Sequence, residues 1–216
     1  ARLHKTERVC LLSSVEIYGE NETGKPFCET DMGYIDCNTL RAGYPEGKRV
    51  AETLCQAYRS TYGIQTVTMR LCRVYGPTVL STDSKALSQF ISNAVHRQNI
   101  VLKSEGTQFF SYIYAADAVS ALLTGLLRGE DGQAYNVSDT RSDITLRDLA
   151  AILANVAGTK VVFALPDALE KEGFSKAMTA ILDSSKLKSL GWMPVQTIQT
   201  GLDRTIKILM AEEANK

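Results

Sequence analysis

The 216-residue sequence is poor in metal ligands. It has two histidines, His4 and His96, and five cysteines, Cys10, Cys28, Cys37, Cys55 and Cys72, with no C-x-x-C pair among them. Structural zinc needs four such ligands at short spacings, so no metal is expected. An odd cysteine count without paired spacing also argues against a disulfide framework, and a reduced, cytoplasmic protein is expected. No run approaches the roughly 20 apolar residues of a membrane span, and the opening Ala1-Arg2-Leu3-His4-Lys5 does not read as a signal peptide. Charge of one sign is lacking too: 24 Lys plus Arg balance 24 Asp plus Glu. Without a long-range field, neither nucleic acid nor an anionic membrane is an expected partner. The most informative absence is a glycine-rich turn. No G-x-G-x-x-G or G-x-x-G-x-x-G follows a strand, and a dinucleotide pyrophosphate needs such a turn to approach a helix N-terminus. Either the chain starts partway into a larger protein, or it binds no dinucleotide.

What is present is an alternation of strand and helix patterns. Hydrophobic residues make up 44% of the chain, enough for one large or two small globular domains. Val9-Cys10-Leu11-Leu12 is a short apolar run ending at Ser13-Ser14, as a buried parallel strand would be. From Pro45 to Tyr62, Val50, Leu54, Tyr58 and Tyr62 recur every four residues, which predicts an amphipathic helix stopped by Gly63. Gln65 to Leu71 reads as the next strand, running into Tyr75-Gly76-Pro77. Strand, helix, strand implies a right-handed crossover in a parallel sheet. Later strands are expected at Ile100–Leu102, Ser111–Tyr114, Ala134–Val137 and Val161–Phe163. Helices are expected over 87–95, 115–127, 146–156 and 200–211, with a loop around Pro166.

One stretch carries chemistry. In Tyr44-Pro45-Glu46-Gly47-Lys48-Arg49-Val50-Ala51-Glu52, Tyr44 and Lys48 fall at i and i+4 on one helical face. A nearby ammonium favours a phenolate, so Tyr44 suits general-base work on a sugar hydroxyl. Taken alone, the pair reads more readily as an ordinary helix-surface pair, because such spacing arises by chance in many helices.

Its surroundings decide. Ser13-Ser14-Val15-Glu16-Ile17-Tyr18-Gly19 precedes it, and Arg70-Leu71-Cys72-Arg73-Val74-Tyr75-Gly76-Pro77 follows. Ser111-Tyr112-Ile113-Tyr114-Ala115-Ala116-Asp117-Ala118-Val119, Tyr135-Asn136-Val137 and Leu190-Gly191-Trp192-Met193-Pro194 come later. This order resembles the extended short-chain dehydrogenase/reductase family of nucleotide-sugar epimerases, dehydratases and decarboxylases. The resemblance implies an α/β fold: the C-terminal part of a Rossmann-type parallel sheet with a smaller α/β substrate-binding lobe. Residues 1–77 would be a partial NAD-binding domain and 78–216 mainly the substrate lobe, with 111–138 returning to the first. It implies NAD as cofactor, a nucleotide sugar as substrate and a homodimer. Ser14, Glu16, Tyr44 and Lys48 would be catalytic; Ser13, Tyr44 and Lys48 would face the cofactor, and Ser14, Glu16 and Arg73 the substrate. Tyr18 and Tyr75 are expected to pack or line the pocket. The chain would be the C-terminal portion of a longer enzyme, inactive alone, with the strands Val9–Leu12 and Gln65–Leu71 short of sheet neighbours.

The reaction is narrowed by Val15, which cannot donate a proton where dehydratases of the family carry an aspartate. The tyrosine motif is most similar to that of UDP-glucuronate decarboxylases, so transient C4 oxidation of that kind is expected. A 4-epimerase or 4,6-dehydratase is the alternative, and a non-catalytic sugar-nucleotide or partner-binding fragment is the second. Two positions depart from the family's pattern: Arg73 stands where asparagine is usual, and Phe110 where an arginine is usual. An arginine cluster expected before Leu190-Gly191-Trp192 is replaced by Lys176-Ala177-Met178-Thr179-Ala180.

Overall fold

The computed structural model describes residues 1–80, 82–164 and 177–215. Three parallel strands form the first sheet: β1 (Arg8–Ser14), β2 (Gln65–Leu71) and β6 (Ala134–Val137), in the order β1-β2-β6. Its register sets Ser14 against Leu71, and Leu71 against Val137, so these strands end together. Helix α1 (Gly43–Tyr62) packs on β1 and β2, and α3 (Ala115–Arg128) packs on the same two strands. The α3 contact is close because Gly125 has no side chain: a Cβ there would lie 2.3 Å from Met69 Sδ.

Among the described residues β2 is paired on both edges, whereas β1 is paired only to β2. The expectation that both strands lack neighbours is therefore corrected for β2, because the return of the chain through β6 fills its second edge.

The rest of the chain builds smaller sheets. β5 (Phe109–Tyr114) pairs in parallel with β3 (Arg73–Tyr75) and β9 (Thr179–Ala180), and antiparallel with β7 (Asp143–Thr145). β4 (Ile100–Leu102) pairs with β8 (Val161–Phe163). Helices α2 (Ala86–Val95) and α4 (Leu146–Ala157) pack on one another and on the C-terminal helix, Ile198–Ala214. That last helix starts earlier than the apolar pattern predicts, because Thr197 and Thr200 form a reciprocal cap. The expected loop around Pro166, and Lys176 of the substituted cluster, lie outside the described residues. No helix of the described residues is long and apolar enough to cross a membrane.

Helix α1 departs from the predicted pattern in which side is buried. Val50, Leu54, Tyr58 and Tyr62, the periodic apolar positions, are all exposed. Towards the sheet it turns Lys48, Arg49 and Glu52 instead, each partly buried. Gly63, in the left-handed region at φ 66°, closes the helix by donating its N–H to Arg59 O.

Candidate active site

The site gathers at the C-terminal end of the first sheet, where parallel α/β folds place their ligands. Ser14 ends β1 and caps the 3-10 turn Val15–Tyr18, its Oγ accepting from Glu16 N at 3.2 Å. Glu16 is thereby held at the exposed side of the turn. Gly19 then reverses the chain at φ 72°. A Cβ there would collide with Tyr34 O, so the turn requires glycine.

Helix α1 crosses beside this end. Lys48 Nζ donates to Leu12 O at 2.8 Å, fixing the ammonium on the β1 backbone two residues before Ser14. The same nitrogen stands 5.7 Å from the centre of the Tyr44 ring. Tyr44 is 54% exposed, open to a ligand. One helical turn thus sets an anchored cation next to an accessible phenol. The neighbouring Arg49 pins the turn after β1: Nε donates to Ile17 O and Nη2 to Gly33 O, both at 2.8 Å, while Nη1 meets Glu46 at 3.3 Å.

Ser13, adjacent to Ser14, is engaged elsewhere. Its hydroxyl donates to Glu52 Oε1 at 2.5 Å, within a buried polar cluster. Glu52 also accepts from Arg70 Nη2 at 2.8 Å and Nε at 3.2 Å. Arg70 Nη1 donates to Tyr18 Oη at 2.9 Å and Glu29 O at 2.7 Å, and Tyr18 donates to Asn136 Oδ1 at 2.6 Å. Burial pulls the Arg70 pKa down, but Glu52 and Tyr18 outweigh it and the net direction is up. Burial pushes the Tyr18 hydroxyl up to about 12 against the pull of Arg70, and burial raises that of Tyr75 also. Both phenols stay neutral near pH 7; Tyr18 stacks on Phe27 with ring centres 4.7 Å apart.

Arg73 opens β3, two residues beyond the end of β2. Its guanidinium carbon lies 3.4 Å from the centre of the Phe110 ring, so the two positions that depart from the family's pattern are in contact. Arg73 Nη1 is buried and has no hydrogen-bond partner among the described residues. Burial draws its pKa down, while the neighbouring Tyr112, Cys72 and Glu16 favour the charged form.

The structure therefore collects Ser14, Tyr44 and Lys48 around one strand end, with Ser13 tied into the cluster beneath, while Glu16 is one of the groups that favour the charged form of Arg73. Sequence reasoning overlooked Glu52, Arg70, Asn136 and Arg49. Two left a trace: Arg70 is the only charge in β2, and Glu52 closes the tyrosine motif.

The residues suit one end of a bound NAD. A fixed ammonium beside an exposed phenol fits the nicotinamide ribose, while no glycine-rich turn for the pyrophosphate occurs in the 216 residues.

The chain is 29% identical over 206 residues to UDP-glucuronic acid decarboxylase 1 of Danio rerio, covering 95% of this chain and 48% of that protein. It is 29% identical over 196 residues to UDP-glucuronic acid decarboxylase 3 of Arabidopsis thaliana, covering 90% and 55%. The chain thus spans about half the length of these relatives. Among solved structures it is similar to a UDP-glucose 4-epimerase of Thermotoga maritima with UDP-glucose, at TM-score 0.84 and 21% identity over 99% of this chain and 66% of that one. A dTDP-glucose 4,6-dehydratase of Bacillus anthracis in complex with NAD superposes at TM-score 0.80 and 19% identity, over 96% and 63%. The family model described as NAD dependent epimerase/dehydratase family matches residues 1–138. With well over half of its length matched, the chain belongs to the NAD-dependent epimerase/dehydratase family.

Proposed function

We propose that the chain carries the catalytic residues of an enzyme that modifies a nucleotide sugar by transient oxidation at C4, in the manner of a UDP-glucuronate decarboxylase. The observation that carries this reading is the Lys48 anchor on Leu12 O, which fixes a cation beside Tyr44 at the strand end occupied by Ser14. NAD, when bound, would supply the hydride acceptor for this chemistry. Tyr44 takes the proton of the C4 hydroxyl, Ser14 hydrogen-bonds the same oxygen, and Lys48 orients the ribose. A ketone at C4 beside a carboxylate on C5 is a β-keto acid. Loss of carbon dioxide leaves an enolate spanning C4 and C5, and C5 then takes a proton from solvent in place of the lost carboxylate. Glu16, on the exposed side of the turn, orients the sugar.

Two relatives whose names specify glucuronate decarboxylation support that substrate. The other reading is a 4-epimerase, in which the keto-sugar rotates before hydride returns; the likeness to a 4-epimerase structure favours it at the level of fold. Dehydration is the weakest choice, because Val15 is apolar and buried at the position where an acid is needed. Incubating the full-length protein with NAD and either UDP-glucuronate or UDP-glucose separates these outcomes. Carbon dioxide release from the first supports the proposal, and a C4 epimer without mass change overturns it.

The exposed stripe Val50, Leu54, Tyr58 and Tyr62 on α1 is the proposed homodimer contact, since a second copy would bury it. A cytoplasmic location belongs to the same reading.

A further inference from the structure

The proposed activity requires a cation for the anionic part of a nucleotide sugar, and most cations around the strand end are already engaged. Lys48 donates to Leu12 O. Arg49 is bonded to Ile17 O, Gly33 O and Glu46. Arg70 uses Nε, Nη1 and Nη2 within its cluster. Arg73 differs, with Nη1 buried and unpartnered among the described residues. Burying a charged donor without an acceptor is unfavourable, so such a group marks a place where an acceptor binds.

Resting on the function proposed above, we infer that Arg73, laid against the ring of Phe110, is the specificity-determining residue that receives paired anionic oxygens of the nucleotide sugar. A guanidinium carbon 3.4 Å from a ring centre is in face contact with the ring. Stacking occupies one face of the cation and leaves its N–H edge in the plane, the geometry that binds a carboxylate or phosphate through two parallel hydrogen bonds. Phe110 also fixes the guanidinium in place, so little freedom is lost on binding. The register explains how the pair arises. Arg73 lies opposite Tyr112 on the adjacent β5, which brings its side chain over residue 110, two positions earlier. The cation therefore comes from β3, with β5 contributing the ring. Arg41 adds positive charge to the same neighbourhood.

A nucleotide sugar offers paired oxygens in two places, its diphosphate and, in a uronate, its carboxylate. Calorimetric titration of the NAD-loaded full-length protein with UDP-glucose and UDP-glucuronate distinguishes them. Arg73→Met, which keeps the side-chain bulk but not the charge, is expected to bind roughly 10- to 100-fold more weakly. An equal loss for both ligands assigns Arg73 to the diphosphate, and a loss confined to UDP-glucuronate assigns it to the carboxylate. Arg73→Lys keeps the charge without the planar fork and should still lose several-fold, deciding the matter if the methionine variant does not fold. Wild-type affinity for both ligands in a folded Arg73 variant overturns this inference and leaves the proposed activity standing. A wild-type protein that binds neither ligand overturns both.

Discussion

Arg70 and Arg73 stand three residues apart at the end of one strand and the start of the next, yet their surroundings are opposite. Arg70 is 4% exposed and its donors meet Glu52, Tyr18 and Glu29 O. Arg73 is set against an aromatic ring with a buried nitrogen unanswered among the described residues. A saturated cation contributes to the fold: it ties α1, β2, β6 and the turn after β1 into one unit. An unsaturated cation is held ready for something outside the chain. The same division separates Ser13, bonded to Glu52, from Tyr44, which is open to solvent. Polar groups with every partner present should govern stability, and those without should govern activity.

The sharpest test of that division is Tyr44→Phe. In the full-length protein it should lower turnover by about 10²- to 10⁴-fold while leaving sugar-nucleotide affinity and melting temperature nearly unchanged. Steady-state kinetics with a thermal scan checks this, and comparable turnover would return Tyr44 to an ordinary helix-surface residue. Glu52→Ala should do the reverse. Removing one partner of a buried ion pair, with side chains 5% and 16% exposed, is expected to cost about 3–5 kcal/mol in denaturant unfolding. Arg73→Met, by contrast, should change stability by well under 1 kcal/mol, since no hydrogen-bond partner among the described residues is left behind and the methionine still packs on Phe110; a large loss would erase the contrast between the two arginines.

A smaller effect comes from Asp143 on β7. Burial raises its pKa to about 6 from 3.8, although Ser111 donates to it at 2.5 Å. Because the folded value lies above the unfolded one, its contribution to stability is fully present below about pH 3.8 and lost as pH rises through 6. Asp143→Asn should therefore raise the unfolding free energy above pH 7, relative to wild type, by about 1 kcal/mol after allowance for solvent screening of a half-buried group. The difference should vanish near pH 4, and unfolding curves at both values would detect it. Leu54→Glu is expected to change the stability of the isolated chain by less than about 0.5 kcal/mol, because the residue is exposed. Sedimentation of the full-length variant should nevertheless shift towards monomer if the α1 stripe joins two copies.

The strands were legible in the sequence because parallel strands are short apolar runs with abrupt polar ends, as Val9–Ser14 and Ala134–Val137 illustrate. Helix α1 was legible in extent but not in orientation. Its apolar period suggested a buried stripe, whereas the sheet surface beneath it presents Ser13 and Arg70, which select Glu52 and turn Val50 and Leu54 outward. The Arg70 cluster joins residues 13, 18, 52, 70 and 136, which only the strand order brings together. No local pattern could have displayed it. Tyr44 and Lys48 could be paired from helical spacing, but their expected roles and that of Ser14 came from the order of motifs that resembles the family, while the contact between Arg73 and Phe110 needed the register of β3 on β5.

The acceptor that holds Lys48 is a main-chain carbonyl, that of Leu12. Every amino acid provides that oxygen, so the anchor makes no demand on the side chain at position 12, which is 45% exposed. Mutational tolerance at the two ends of the bond should consequently be one-sided. In a saturation library, position 12 should accept most residues that keep an extended strand, and position 48 almost none. Lineages could then rework the strand's solvent face while inheriting an unaltered lysine position.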